Sequence, residues 1–458
     1  MYKVYIFLLI VSLNLNVISQ NNKILYNFNE IPQALIVNPG TEVDFQWHVG
    51  VPTLSGTYLH AGISGFSVND LLANDGVDFN IKLKGLLNNL DNKDFYTANQ
   101  QIELFSFGYR LSNNKDYLSA GFYEEFDGIL YHPKDIITLG YEGNTNFSKK
   151  TNFEDLSFKA ELLGVYHIGL TRKLNKKLTI GVRLKLYSSV FNISSINNYG
   201  IFSTTQGEDN IYTHHLQSAD IAVKTSGIIN NDKIVGDQKI INRFLASGNM
   251  GAGIDFGLTY NINKKWKTTA SFQDLGFIRH TKNTTVYRVN GTRHYSGINL
   301  EFPKDNIVDY LHDFNDDLPY SYGSEKYTTL RSLKINGSLI YSFGQIDNSS
   351  CLRSEYENKR RNEIGFQLYS IFRPKNPQAA ATLFFYKRLS KLLRAKITYT
   401  VDSYSAKNIG FGFSTHIGMF NMYGGFDNIL GFNDLTKSNN QSFNFGINFT
   451  LDKNINKP

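Results

Sequence analysis

The chain has little of what a helical, disulfide-bonded or catalytic protein would need. A single cysteine, Cys351, stands among 458 residues, so no intrachain disulfide can form. It lies in the polar stretch DNSSCLRSEYENKRRNE, which reads as a loop. Proline is limited to 9 residues and tryptophan to 2. Charged residues make up 19%, below the roughly 25% usual in soluble domains. Beyond Leu13 no segment is long and apolar enough for a spanning helix, and the mean hydropathy is negative. A helical membrane protein is therefore excluded. The net charge of +7 is dispersed through turns such as NKK and KR. No basic block points to nucleic acid, though such turns could meet anionic lipid head groups.

Motifs of chemistry are also missing. The sequence contains no HExxH, no Walker A loop and no CxxC. GNMGAGIDFG is rich in glycine but lacks the spacing of a dinucleotide fingerprint. His214-His215 is the only adjacent histidine pair. Neighbouring side chains on a strand point to opposite faces, so the two do not suit one metal ion. The expectation is a protein that is not an enzyme, with no catalytic, cofactor-binding or metal residues and no cofactor.

The N-terminus carries a positive signal. Lys3 precedes the apolar run VYIFLLIVSL, and Val17-Ile18-Ser19 offers a small-residue exit. This is the pattern of a secretory signal peptide. The expected organisation is a signal peptide at 1–19 and one domain at 20–458. Aromatic residues are abundant, with 34 Phe and 28 Tyr.

Period-two alternation dominates the rest. Leu178, Ile180, Val182, Leu184 and Leu186 alternate with Thr179, Gly181, Arg183 and Lys185. Ile254, Phe256, Leu258 and Tyr260 alternate with Asp255, Gly257 and Thr259. Ala395, Ile397, Tyr399 and Val401 alternate with Arg394, Lys396, Thr398 and Thr400. The same pattern runs through 409–417 and 443–451. Each run is about nine to eleven residues, the length a tilted strand needs to cross a bilayer. Apolar residues on one face and Gly, Thr, Asn or charge on the other suit lipid outside and a polar lumen inside. A soluble sandwich would also alternate, but its strands are usually about 5–6 residues long.

Candidate strands fall at 43–50, 55–63, 101–111, 117–127, 156–173, 177–191, 213–225, 251–262, 266–276, 332–343, 363–372, 379–389, 393–402, 407–416, 419–427 and 442–451. Bacterial barrels usually have an even strand number, and the expectation is an all-β, transmembrane antiparallel barrel of about 14 strands, within 12–16. Helical spacing at 64–97, 236–247 and 304–317 predicts short helices in loops or a plug. Residues 192–250 and 277–331 read mostly as long loops. The last strand, 443–451, should close against the first, near 43–50. Asp255 and Asp274 need buried partners, for which Arg183 and Arg394 have the right chemistry. His167 and His416 are placed to face the lumen.

Several segments bear a likeness to known proteins. IPQALIVNPGTEVDFQWHVGVP, GNMGAGIDFGLTY, TTASFQDLGFI and GGFDNILGF, in that order, resemble uncharacterised Bacteroidota outer-membrane barrels, a domain-of-unknown-function family akin to PorV and the FadL-like transporters. In FadL-like proteins an Asn-Pro-Ala tripeptide lies in an N-terminal hatch; here the tripeptide is Asn38-Pro39-Gly40. The resemblance implies an outer-membrane location and one of two roles. The first is passive uptake of hydrophobic or small solutes. The second is docking or assembly with surface-protein export machinery. Outer-membrane lipid and the barrel-assembly machinery are the general partners expected.

Overall fold

The computed structural model describes residues 24–207, 212–227, 229–230, 233–234, 237–296, 320–346 and 360–452. The signal segment 1–19, Cys351, the helix expected at 304–317 and the tail after Asp452 lie outside the described residues.

Fourteen antiparallel strands close on themselves. β1 is Phe45–Gly50 continued by Thr57–Ile63, β2 Phe95–Arg110, β3 Asp116–Tyr131, β4 Phe158–Lys173 and β5 Leu178–Gln206. β6 joins Tyr212–Ser226 to Asn249–Asn261, and β7 joins Trp266–His280 to Thr284–Ser296. β8 runs in three pieces, Tyr320–Gly323, Tyr327–Leu330 and Lys334–Ile346. β9 to β14 are Arg360–Ile371, Gln378–Arg388, Leu393–Val401, Asn408–Ile417, Phe420–Phe426 and Asn440–Asp452. Each strand pairs with its successor. β14 returns to β1 through Val49↔Phe449 and Leu59↔Phe443, the closure expected from the terminal pattern. Among the described residues the barrel wall closes without an open edge, as lipid requires.

The sixteen sequence candidates become fourteen strands because two pairs are halves of one strand. Residues 51–56 bulge out of β1, and residues 227–248 are inserted within β6.

Alternation sets the two faces as expected. Leu184 and Leu186 of β5 are exposed on the outer wall, while Arg183 and Lys185 are buried in the lumen. Ile397, Tyr399 and Val401 are outside, and Lys396, Thr398 and Thr400 inside. His167 and His416 also face inward: His167 lies against the Tyr123 ring, and His416 pairs with Thr450.

One expectation is corrected. Residues 192–250 and 277–331 are not mostly loops where they are described. β5, at 29 residues, has about three times the roughly 9–11 residues that a bilayer crossing needs, and reaches at most roughly 95 Å at about 3.3 Å per residue. It rises past the apolar wall with the first half of β6 and the second half of β7 as an extension, flanked by the short strand Lys150–Asn152 on β5 and by Tyr320–Gly323 on β7. Its sequence, SSINNYGIFSTTQ in β5, mixes apolar and polar residues on both faces, so strand formation there leaves no period-two signal. Cross-strand hydrogen bonds hold it instead.

Helices appear where expected at 64–97, as α2 (Val68–Leu72) and α3 (Phe79–Asn89); the four-residue α1, Ala34–Val37, precedes them in the chain. α4 (Lys134–Glu142) lies between β3 and β4. The helix expected within 236–247 forms as α5, Asp237–Asn242. Its continuation clasps the outer wall rather than plugging the lumen. Phe244 meets Phe122 edge-on at 5.5 Å, and Ser188 on the outer face of β5 donates to Arg243 O at 2.5 Å.

Candidate functional site: a plugged, charged lumen

A fourteen-stranded barrel is too wide for its wall side chains alone to fill. Residues 24–43 supply the filling. Ile24, Leu25, Tyr26, Phe28, Ile31 and Val37 pack as a buried cluster against Ile340, Phe384, Tyr386 and Tyr423 of the wall. A chain segment inside a barrel also brings backbone groups that need partners, and wall side chains provide many of them. Lys396 of β11 donates to Ile24 O at 3.0 Å and Tyr26 O at 2.6 Å. Arg183 of β5 donates to Leu35 O at 2.8 Å and also reaches Ile36 O. Ser271 donates to Val37 O at 2.8 Å, Thr171 to Pro39 O at 2.6 Å and Thr259 to Gly40 O at 2.8 Å. Gln33 joins Glu103 of β2 and Asn448 of β14, each at 2.9 Å.

The Asn38-Pro39-Gly40 tripeptide sits on a niche made by two glycines. Gly181 of β5 and Gly257 of β6 are register partners. An added Cβ on Gly181 would overlap the Pro39 carbonyl, and one on Gly257 would overlap the Asn38 side chain. A Cβ on Gly40 would come within 2.5 Å of the Gly257 backbone. The contact is backbone on backbone, which gives a steric reason for glycine in place of alanine at the third position.

Beside the plug runs a chain of buried charges. Arg183 Nε donates to Asp255 at 2.7 Å, and Lys185 reaches Asp255 at 3.0 Å and Asp274 at 2.5 Å. Lys334 joins Asp274 at 2.8 Å to Glu125 at 3.0 Å. Arg331 connects Glu125, at 2.8 Å, to Glu161, and Lys159 ends the chain on Glu161 at 3.2 Å. Five cations and four carboxylates alternate across β3, β4, β5, β6, β7, β8 and the approach to β8. Arg373 and Asp127 form a separate pair at 2.6 Å.

The sequence-derived partner Arg183 does meet Asp255. Arg394 is buried on β11 but is not among the ion-pair partners of Asp255 or Asp274, which go to Lys185 and Lys334 as well as Arg183. Asp274 reaches the lumen through a bulge. The register shifts between Ile254 and Phe256, and Asp274 takes φ +62°. Gln273 and Asp274 then both point inward, although neighbours on a regular strand cannot. Sequence reasoning missed Glu125, Glu161, Arg331 and Lys334. Glu125 in FYEEFDGIL and Glu161 in FKAELLG stand at lumen parity in strands that were otherwise read correctly.

Above the plug a cavity of about 40 Å³ is lined by Tyr58, Asn99, Glu125, Asp127, Lys334, Tyr369 and Arg373 among others. Since one water needs about 10–15 Å³, it has room for a few waters and is too small for an aromatic solute. A larger pocket of about 260 Å³ lies at the end bearing the long connections. α3, α4 and β5 form it, with Lys84, Lys134, Lys150, Asp135, Glu142 and Phe202 in its wall. No group of three or more His, Cys, Asp or Glu suited to a metal ion occurs among the described residues.

Residues 39–427 match the profile of a family of unknown function (DUF5723). No curated protein matches the chain. Solved structures similar to it include a Pseudomonas aeruginosa FadL homologue, at 9% identity over 93% of this chain and 95% of that one, with a TM-score of 0.44. The Pseudomonas putida toluene transporter TodX is 12% identical over 91% of each chain, with a TM-score of 0.38. The CymD monoaromatic hydrocarbon channel is 9% identical over 96% of this chain and 98% of that one, with a TM-score of 0.41. The closed fourteen-strand barrel is defined by its own strand pairing.

Proposed function

The chain belongs to the DUF5723 family of unknown function, and we propose that it is an outer-membrane conduit for small solutes, seen with its plug in place. The observation that carries this reading is the nature of the filling. The lumen is occupied by residues 24–43, which belong to no wall strand and are held by hydrogen bonds and packing, so they can withdraw without opening the wall. The route freed would pass Tyr58, Tyr123 and Tyr369 beside a dense set of charges and amides. That lining suits a small polar or amphipathic solute better than a hydrocarbon, which would have to displace water from ion pairs without replacing its hydrogen bonds. The short turns then face the periplasm and the long connections the exterior, as in other barrels of this type.

The test is flux in proteoliposomes. A variant lacking residues 24–40, shown to be folded by its gel mobility without boiling, should admit small neutral sugars at least tenfold faster than the intact chain. Equal flux in both would overturn the reading, because the wall itself would then be the seal. A docking role, in which the barrel anchors surface-protein export machinery, is favoured by a different observation: the ordered platform of α2, α3, α4 and the β5–β7 extension at the loop end.

A further inference from the structure

We propose that the β5–β7 extension carries a divalent transition-metal site made by His215 and His294, with Cu²⁺ as the preferred ion. Adjacent His214 and His215 cannot share a metal, since they point to opposite faces, but the fold gives His215 a different partner. His215 of β6 and His294 of β7 are direct register partners. Their Nδ1 atoms are 2.6 Å apart, with ring centroids at 4.8 Å and planes at 75°. Two nitrogens bound to one metal at about 2.0–2.1 Å each stand roughly 3 Å apart, so the pair needs to open by only a few tenths of an ångström.

The second observation is a partner for the far nitrogen of His215. His215 Nε2 is 2.8 Å from Thr205 Oγ1 on β5. When Nε2–H donates to that hydroxyl, Nδ1 is left with its lone pair directed at His294. Metal-bound histidines are commonly oriented by such a bond from their other nitrogen. With two protein nitrogens, the remaining positions belong to water. The site is therefore open and exchangeable rather than structural. Imidazole donors suit Cu²⁺, Ni²⁺ and Zn²⁺, and Cu²⁺ binds most tightly in that series. His214 provides an internal control. It faces Thr204 at 3.1 Å and Asn144 at 3.3 Å, and stacks on Phe202.

The experiment uses the full mature chain, without an affinity tag, in detergent. Titration with CuCl₂ should give one bound ion whose electron paramagnetic resonance spectrum shows two equatorial nitrogens. His215→Ala and His294→Ala should each weaken binding at least tenfold, and His214→Ala less than twofold. On the unaltered protein, Zn²⁺ should shield His215 and His294, but not His214, from diethylpyrocarbonate. Unchanged binding in either the His215 or His294 variant, equal loss in the His214 variant, or unshielded His215 and His294 would overturn the site.

Discussion

The wall that carries the apolar outer face and the β5–β7 extension are continuous strands built on different rules. In the wall, side-chain parity sets most of the pattern: largely apolar outward, largely polar or charged inward, as in Leu184 against Arg183. In the extension, His215, Ser203 and His294 line up by register, yet neither face is apolar. Hydrogen-bonded pairing, with ring contacts such as His214 on Phe202, keeps the chain extended there. A strand in this molecule can thus be specified by its solvent on two sides or by its neighbours. Only the first kind of specification is written in the hydropathy.

The comparison predicts unequal tolerance, which deletion would expose most strongly. Removing Ser442 to Pro458 takes away β14 and with it the partner of both β1 and β13. It should abolish assembly, read as loss of the heat-sensitive gel band. Removing the tip of the extension, residues 200–218, should leave that band intact. If the tip deletion also abolishes assembly, the extension is part of the folding unit and the distinction fails.

A smaller effect is expected from the lumen charges. Asp255→Ala leaves Arg183 and Lys185 facing each other without the carboxylate that separates them. Breaking a buried pair from one side costs about 3–5 kcal/mol, measurable as a fall in the denaturant midpoint of the detergent-solubilised barrel. Asp255→Asn, which keeps the shape and some hydrogen bonds, should recover part of the loss. Equal stability of Asp255→Ala and the parent would mean that the network holds nothing.

The outer faces give the finest test. Leu184→Arg places a charge on the lipid side of the wall and should cost about 2–4 kcal/mol if that position lies near the bilayer midplane. Gln217→Lys, on the exposed face of the extension, should fall within about 0.5 kcal/mol of the parent. Both are read by equilibrium unfolding in lipid vesicles. Comparable costs would place the extension within the bilayer.

Much of the wall was legible because lipid and water impose a period of two on it. The parity of 178–186, 254–260 and 395–401 appears unchanged in the fold. The two excess strand candidates arose where β1 and β6 are interrupted, since an interruption and a chain reversal look alike in hydropathy. Asp274 could be read as polar but not as inward-facing, because a one-residue bulge shifts parity without leaving a mark in composition. The plug was less legible. IPQALIVNPG is apolar without alternation, and nothing in it says which surface it will meet. The charge network joins residues as distant as Glu125 and Lys334, and only the closed topology brings them together.

Gln33 touches Asn448 across a sequence separation of 415 residues, and this has a kinetic meaning. The plug precedes β1 in the chain, while the strand that seals it in, β14, follows the other thirteen. Plug contacts also engage β2, β4, β5, β6, β7 and β11, so the segment touches walls made early, midway and late. A closed barrel offers no side entrance through its hydrogen-bonded wall. The segment is therefore positioned to act as a mandrel, around which successive hairpins are laid before β14 meets β1. Contacts of such separation form late, because the entropy of closing a long loop is lost before any contact repays it. Weakening the early plug contacts should then slow barrel closure more than it lowers the stability of the closed state, leaving assembly rate and final stability as separately tunable properties of one short segment.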